Sequence, residues 1–175
     1  MFELLHPCCG ENANDGGNSK QQRGKIKGGK KIDKLVISIG NSLRTDDGIA
    51  HLIVDNLSGK IEDCDFIKAT QLLPEHIDII IKYKKTIIID AEINKYYGLV
   101  KLKKLHKEDK IPFYASHNID FFDILSLLNK QKNEVDIFLL TITVENLGFM
   151  DHISEKLYNY MSIINKQVFE IVSNV

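Results

Sequence analysis

Two adjacent carboxylates, Asp46 and Asp47, lie in the segment IGNSLRTDDGIA (residues 39–50), at the point where a strand is predicted to turn into a helix. The preceding residues, Lys34–Gly40, are almost all apolar between charged flanks, which is typical of a strand covered on both faces. Carboxylate oxygens at such a turn suit a cation better than a phosphate. An alternative is that the two acids only stabilise the first turn of the helix through its dipole.

The helix after the two acids is predicted from apolar residues that recur at helical spacing, starting with Ile49. Thr45 or Asp46 is a candidate N-cap, and Gly59 is a candidate end of the helix. Gly40 is expected to let the chain turn tightly beside the acids, because glycine has no side chain to clash and readily adopts positive φ.

Two further side chains with metal-binding chemistry follow later in the sequence. Asp90 lies near the end of the apolar run KKTIIIDA (84–91), and His117 lies in FYASHNID (113–120), just before a predicted helix. Ligands of open parallel sheets bind beyond the carboxyl ends of the strands, so Asp47, Asp90 and His117 are expected to converge there. Such a mixed oxygen and nitrogen set suits nickel, zinc, manganese or iron. Alternatively, Asp90 only accepts backbone hydrogen bonds in a turn, and His117 is a capping or partly buried histidine.

Strand and helix patterns alternate along the chain. Continuous apolar runs predict buried strands, and the alternating pattern of GLVKLKKL predicts a more exposed strand at a sheet edge. The expected order after the first helix is a strand at Cys64–Thr70, a short helix opened by Pro74, a strand at Lys84–Ala91, the exposed strand at Gly98–Leu105, a helix at Asp120–Leu128, a fifth strand at Ile137–Thr143 and a helix at Ile153–Ile171. This order predicts an α/β fold with three layers, in which helices cover both faces of a largely parallel twisted sheet of about five strands.

Composition divides the 175 residues into a polar extension and one domain. Residues 1–33 are expected to form a flexible polar N-terminal extension, because most of them are polar and bury too little apolar surface to fold. Residues 34–175 form the predicted domain. The net charge of −1 gives no electrostatic reason to expect a nucleic acid or an anionic membrane as a partner. No apolar run approaches the roughly 20 residues of a membrane helix, and no signal peptide is recognised, so a cytoplasmic protein is expected.

The three cysteines, Cys8, Cys9 and Cys64, do not suggest a disulfide framework, because their number is odd and two are adjacent. A reducing compartment fits this pattern. Together with His6, the first two could bind a soft metal, although they lack the separated ligand pairs of a structural zinc site. The basic half of the extension, Lys20–Lys34, could contact an acidic partner, and a solvated extension is the simpler interpretation.

Three motifs, in this order, resemble those of the hydrogenase maturation proteases, the endopeptidases that trim the C-terminus of the large subunit of [NiFe] hydrogenases. IGNSLRTDDGIA resembles the opening motif, IIIDA the central strand with its acid, and SHNIDFFDIL the histidine loop and its helix. QLLPE (71–75) fits the segment between the first two motifs. The resemblance runs from about Lys34 to the C-terminal helix, and it is strongest to the branch that serves hydrogenase-3-type and methanogen enzymes.

The resemblance implies that Asp47, Asp90 and His117 are the metal-contacting and catalytic residues. It implies an endopeptidase whose substrate is the precursor of a [NiFe] hydrogenase large subunit. Nickel would be supplied by that precursor, and the protease would not keep a permanent ion of its own. Cleavage would remove a short C-terminal peptide. We expect the protein to work as a monomer in the cytoplasm.

Two features depart from the family pattern, since Ala50 stands where glycine is frequent and VENLGFMD (144–151) lacks a common proline. They affect the expected substrate loops rather than the three ligands. A non-catalytic protein that binds the nickel-loaded precursor would need the same ligands and is the alternative function. A Rossmann-type nucleotide site is not expected, because GNSLRTDD has too few glycines and the wrong charge for a pyrophosphate.

Overall fold

The computed structural model describes residues 4–5, 32–106, 135–145, 147–148 and 152–175. Within these residues, six strands form one sheet. The strands are β1 (Leu4–Leu5), β2 (Lys34–Ile39), β3 (Cys64–Ala69), β4 (Lys85–Ile93), β5 (Val100–Lys104) and β6 (Asp136–Val144). Their order across the sheet is β1, β3, β2, β4, β6, β5.

The helices of the described residues are short except for the last one. Two 3-10 helices, η1 (Thr45–Gly48) and η2 (Pro74–His76), lead directly into α-helices. The α-helices are α1 (Ile49–Leu57), α2 (Ile77–Ile80), α3 (Glu155–Tyr158) and α4 (Met161–Asn174). None of these helices is both long and apolar enough to cross a membrane.

Strand pairing confirms the predicted α/β class. The four inner strands β3, β2, β4 and β6 are mutually parallel, and the outer strands β1 and β5 are antiparallel to their neighbours. Four of the five residues of β5 are exposed, as expected for the polar edge predicted at Gly98–Leu105. The sheet has one strand more than expected, because Leu4–Leu5 pair with Ile67 and Phe66 of β3. The division into an extension at 1–33 and a domain at 34–175 stays a prediction.

Two apolar clusters, one on each face of the sheet, form the core. Helices α1 and α4 pack on one face, against alternate residues of the inner strands such as Val36, Ile87 and Ile89. Helix α2 packs on the other face, against the intervening residues such as Ile37 and Ile88. Because side chains alternate between the faces of a strand, apolar residues at every position are what a sheet covered on both sides requires. Helices on both faces were predicted and are confirmed.

The strand order reverses between β2 and β4. From β2, the chain crosses through α1 on one face to reach β3, and it then returns through α2 on the other face to reach β4 on the opposite side of β2. Connections that leave in opposite directions open a crevice at the carboxyl ends of the two strands. The two strands are in register from Lys34 opposite Lys85 to Ser38 opposite Ile89. Asp90 therefore lies level with the end of β2.

Of the predicted helices, one differs from the expectation and one lies beyond the described residues. The helix predicted at Ile153–Ile171 is interrupted, because α3 ends at Tyr158 and α4 begins at Met161. Between these helices, the ring of Tyr160 packs edge-on against Tyr97, with 5.5 Å between the ring centroids. The helix predicted at Asp120–Leu128 lies outside the described residues.

Candidate metal-contacting site at the strand reversal

Asp47 is held at the end of β2 by the turn that connects this strand to α1. Successive backbone hydrogen bonds run from Arg44 N to Asn41 O and from Asp47 N to Arg44 O, at 2.9 and 2.8 Å. The turn places the carboxylate of Asp47 next to the first residues of the turn, where Asn41 N donates to Asp47 Oδ2 at 2.9 Å. Asp47 is only 2% exposed. Its carboxylate therefore has a fixed position and one oxygen bound to the backbone.

Gly40 is the residue that lets this turn close. Its φ is +154°, and a Cβ added to it would lie 2.1 Å from the backbone oxygen of Asp47. No side chain fits at that distance, and the blocking atom is backbone, which cannot rotate away. The tight turn expected at Gly40 is thus present, and its main cause is the close approach of η1 to the strand end.

Replacing Gly40 with alanine should therefore displace Asp47 and lower the free energy of unfolding by at least about 2 kcal/mol. Gly59 provides the matched control, because its φ is +78° but a Cβ there would meet nothing within 4 Å. Gly59→Ala should cost only about 1 kcal/mol from backbone strain. Urea unfolding of the two variants measures both values. Equal losses would show that the contact between Gly40 and Asp47 is not what constrains the turn.

Asp90 lies in β4, close to Asp47. It is 8% exposed, and Ala91 N donates to its Oδ1 at 2.8 Å. Burial raises the pKa of Asp90 to about 7, and the negative charge of Asp47 adds to this rise. The crevice thus holds two carboxylates that repel one another in a poorly hydrated place. Such a pair binds a proton or a metal cation more readily than an exposed pair does.

Both acids are more buried than the sequence suggests. Carboxylates at the carboxyl end of a sheet are expected to face solvent, but the described structure covers Asp47 and Asp90 almost completely. The reasons are local. Residues 40–48 fold back over the end of β2, and β4 continues three residues beyond Asp90 to Ile93.

Asp46 has a different role from its neighbour. Its Oδ1 accepts a hydrogen bond from Ser154 N at 2.7 Å, and its Oδ2 accepts one from Ser154 Oγ at 3.0 Å. Ser154 is itself the N-cap of α3. The prediction that Thr45 or Asp46 caps α1 is wrong, because α1 has Gly48 at its N-cap and Thr45 Oγ1 donates to Gly148 O. Asp46 ties the turn to the C-terminal helices and is not available to a ligand.

Glu92 shows why a nearby acid is not equivalent to Asp90. It lies two residues further along β4, on the same face of the sheet. Burial alone would raise its pKa, but hydrogen bonds from Lys101 Nζ at 2.8 Å and Thr141 Oγ1 at 2.9 Å lower the pKa overall. Its charge is already compensated by Lys101. A cation would therefore bind Asp47 and Asp90, which form no ion pair within the described residues, in preference to Glu92.

The third predicted ligand, His117, lies outside the described residues, as do Cys8, Cys9 and His6. Within the part of the chain that is described, no group of three His, Cys, Asp or Glu side chains is arranged to hold a metal ion. Cys64 is buried and free, and burial raises its pKa to about 12. The described site therefore consists of two of the three predicted ligands, and the place of His117 beside them stays a prediction.

Sequence reasoning missed the half-buried His51, which lies on α1 four residues after Asp47. Its Nδ1 lies 2.8 Å from Ser38 Oγ, and its Nε2 lies 2.9 Å from Gly40 O. A signal was present, because a histidine and a serine interrupt the apolar patterns of the helix and the strand. The pattern did not show that the two residues face each other next to the turn.

The fold is found in several solved structures. The hydrogenase maturating endopeptidase HybD from Escherichia coli superposes with a TM-score of 0.67, at 20% identity over 81% of this chain and 92% of that chain. The [NiFe] hydrogenase maturation protease HybD from Thermococcus kodakarensis superposes with a TM-score of 0.65 at 16% identity, over 79% of this chain and 98% of that chain. The maturation protease HycI from the same organism superposes with a TM-score of 0.62 at 20% identity, over 82% of this chain and 94% of that chain.

No protein-family model matches the sequence, and no curated protein matches it. At identities of 20% or less, the structural similarities report on the fold. The branch that serves hydrogenase-3-type enzymes stays a prediction, since structures named HybD and HycI both match. The order of motifs in the sequence and the architecture of the sheet lead to the same conclusion, which is that this chain has the fold of the hydrogenase maturation endopeptidases.

Proposed function

We propose that this protein is an endopeptidase that removes a short C-terminal peptide from the nickel-loaded precursor of a [NiFe] hydrogenase large subunit. One observation carries the proposal. Two buried carboxylates, Asp47 and Asp90, lie at the strand reversal of a fold shared with hydrogenase maturation endopeptidases, where burial raises the pKa of Asp90 and the charge of Asp47 adds to this rise. Ligand sites of open α/β sheets form at this place.

The chemistry of the two carboxylates fits a divalent cation brought by the substrate. Within the described residues, each carboxylate accepts one backbone hydrogen bond, from Asn41 N or Ala91 N, and has a second oxygen for a ligand. A cation bound by both would offset the burial and the negative charge of Asp47, which together raise the pKa of Asp90. In this proposal, His117 adds a nitrogen donor, and the mixed set suits nickel.

Each residue then has a definable task. Nickel held by the precursor supplies Lewis acidity near the scissile bond. Asp47 binds and orients the substrate, because the Asn41 N–H fixes its carboxylate. Asp90 can exist in both its protonated and its ionised form at neutral pH, because its pKa is about 7. It is therefore suited to accept a proton during hydrolysis. Burial of both groups strengthens their electrostatic effect by excluding water.

The alternative is a non-catalytic protein that binds the nickel-loaded precursor through the same three residues. The fold is shared with proteins named as endopeptidases, which favours the protease.

We further propose that the protein acts as a monomer in the cytoplasm, with no nucleic acid or membrane as partner. The net charge of −1 gives no electrostatic reason for this protein to bind a nucleic acid or an anionic membrane.

Nickel dependence distinguishes recognition of the metal from recognition of the peptide alone. We expect the intact mass of a nickel-loaded precursor to fall by the mass of one C-terminal peptide after incubation with this protein. The same precursor prepared without nickel should keep its full mass, because the carboxylate pair then has no cation to bind. Equal cleavage of both preparations would refute nickel as the recognition signal. Binding of the nickel-loaded form without any loss of mass would support the alternative.

A further inference from the structure

His51 connects the end of β2 to the helix that follows it. A carbonyl oxygen only accepts hydrogen bonds, so His51 Nε2 carries the proton that it donates to Gly40 O at 2.9 Å. Burial lowers the pKa of His51, which favours the neutral ring. Its Nδ1 then accepts a hydrogen bond from Ser38 Oγ at 2.8 Å. The side chain of Ser38 is fully buried, so this hydrogen bond compensates for its lost contact with water.

The carbonyl that accepts from His51 belongs to the same peptide group as the N–H that binds Asp47. Gly40 O and Asn41 N are the two ends of one planar unit. Asn41 N donates to Asp47 Oδ2 at 2.9 Å on the other side of that unit. A hydrogen bond to the oxygen of a peptide group polarises the group and strengthens the hydrogen bond that its N–H makes. A continuous chain thus runs from Ser38 through His51 and this peptide group to Asp47.

This peptide group needs external support. Glycine contributes no side chain that would restrict the rotation about its Cα–C bond, and this rotation sets the plane of the peptide group that follows. A hydrogen bond from the rigid helix α1 sets the plane of the group. We propose that His51 is a positioning residue, which fixes and polarises the Gly40–Asn41 peptide group so that Asn41 N–H holds Asp47 in its ligand position. The effect on activity rests on the proposed function, whereas the effect on the peptide group does not.

The test compares variants that keep or remove the donor to Gly40 O. The carboxamide of His51→Gln reaches about as far as Nε2 and retains an N–H, whereas His51→Leu retains none. We expect His51→Leu to lower kcat for precursor cleavage about 10-fold or more, and His51→Gln to restore most of it. Val54→Ala is the control, because Val54 is fully buried on the same helix and lies away from the turn. It should lower the melting temperature while kcat stays unchanged in the folded protein.

A second readout needs no substrate. Hydrogen exchange of the Asn41 amide, followed by NMR, should be about 10-fold faster in His51→Leu than in the wild type, and close to the wild type in His51→Gln. If His51→Leu does not fold, His51→Asn replaces it, because its shorter side chain does not reach Gly40 O. Unchanged exchange at Asn41 in the variant without the donor would overturn the proposal. Altered exchange with no cleavage by the wild type would instead reject the proposed function and retain the positioning role.

Discussion

Replacing Asp47 with asparagine should abolish cleavage of the nickel-loaded precursor, whereas the same replacement at Asp46 should leave it nearly unchanged. The two residues are adjacent and equally buried, at 2% and 1% exposure. Asparagine at position 47 can still accept the hydrogen bond from Asn41 N, so the turn should survive. The negative charge is lost, and the second oxygen is replaced by an NH2 group that cannot bind a cation. We expect kcat/KM to fall by about 100-fold or more, since loss of a metal-contacting group exceeds the effect of losing its supporting partner.

Asp46→Asn is a matched control because it removes the same charge one residue away. Asparagine Oδ1 can still accept from Ser154 N, and Ser154 remains available to cap α3. Cleavage should therefore continue at close to the wild-type rate. Intact mass spectrometry over a time course measures both variants. Full activity in Asp47→Asn would remove Asp47 from the site, and equal loss in both variants would show that the charge of the turn as a whole is what matters.

Replacing Asp90 with asparagine should make the protein more stable at neutral and higher pH. The pKa of Asp90 is about 7 in the folded chain, well above the ordinary value of 3.8 that applies to the unfolded chain. The stabilisation from its bound proton is complete below the unfolded pKa and is lost as the pH rises through 7. Relative to Asp90→Asn, the wild type should lose up to about 1.4 kcal/mol for each pH unit between these values.

Urea unfolding at several pH values between 4 and 8 tests this prediction. Asparagine retains an oxygen that can accept from Ala91 N, so the comparison isolates the ionisation. The free energy of unfolding of the two proteins should be similar at low pH and should diverge up to about pH 7. A difference that does not change with pH would mean that Asp90 is not desolvated as described. A variant that gains stability and loses cleavage activity would fit the trade-off between stability and function at active sites.

Much of the fold could be predicted because its strands are covered on both faces. The runs LVISI and TIIID carry apolar residues on both faces, which is the pattern of central parallel strands, and both lie in inner strands of the sheet. Once these strands were assigned, the acids at their ends could be placed at one edge. The proximity of Asp47 and Asp90 follows from topology, and this is why two residues separated by 42 intervening positions could be predicted together.

The local roles of polar side chains were harder to predict because their partners are distant in sequence. The residues next to Asp46 in the sequence predict that it caps a helix, yet its carboxylate accepts a hydrogen bond from Ser154, which lies 108 residues later. Thr45 likewise donates to Gly148 and not to its own helix. His51 was missed for the opposite reason, since its partners are close in sequence but are brought to it only by the turn at Gly40. The periodicity of apolar residues predicts which face of a helix or strand a residue lies on, but it does not predict the hydrogen-bond partner of a polar side chain.

Turnover is the measurement that most directly tests whether the paired carboxylates belong to an endopeptidase. A nickel-loaded precursor should be incubated with one-tenth as much of this protein, and its intact mass should be followed over time. We expect the whole precursor population to lose one C-terminal peptide, because each protein molecule acts repeatedly. A precursor that stays full length while it forms a stable complex with this protein would contradict the proposed endopeptidase activity.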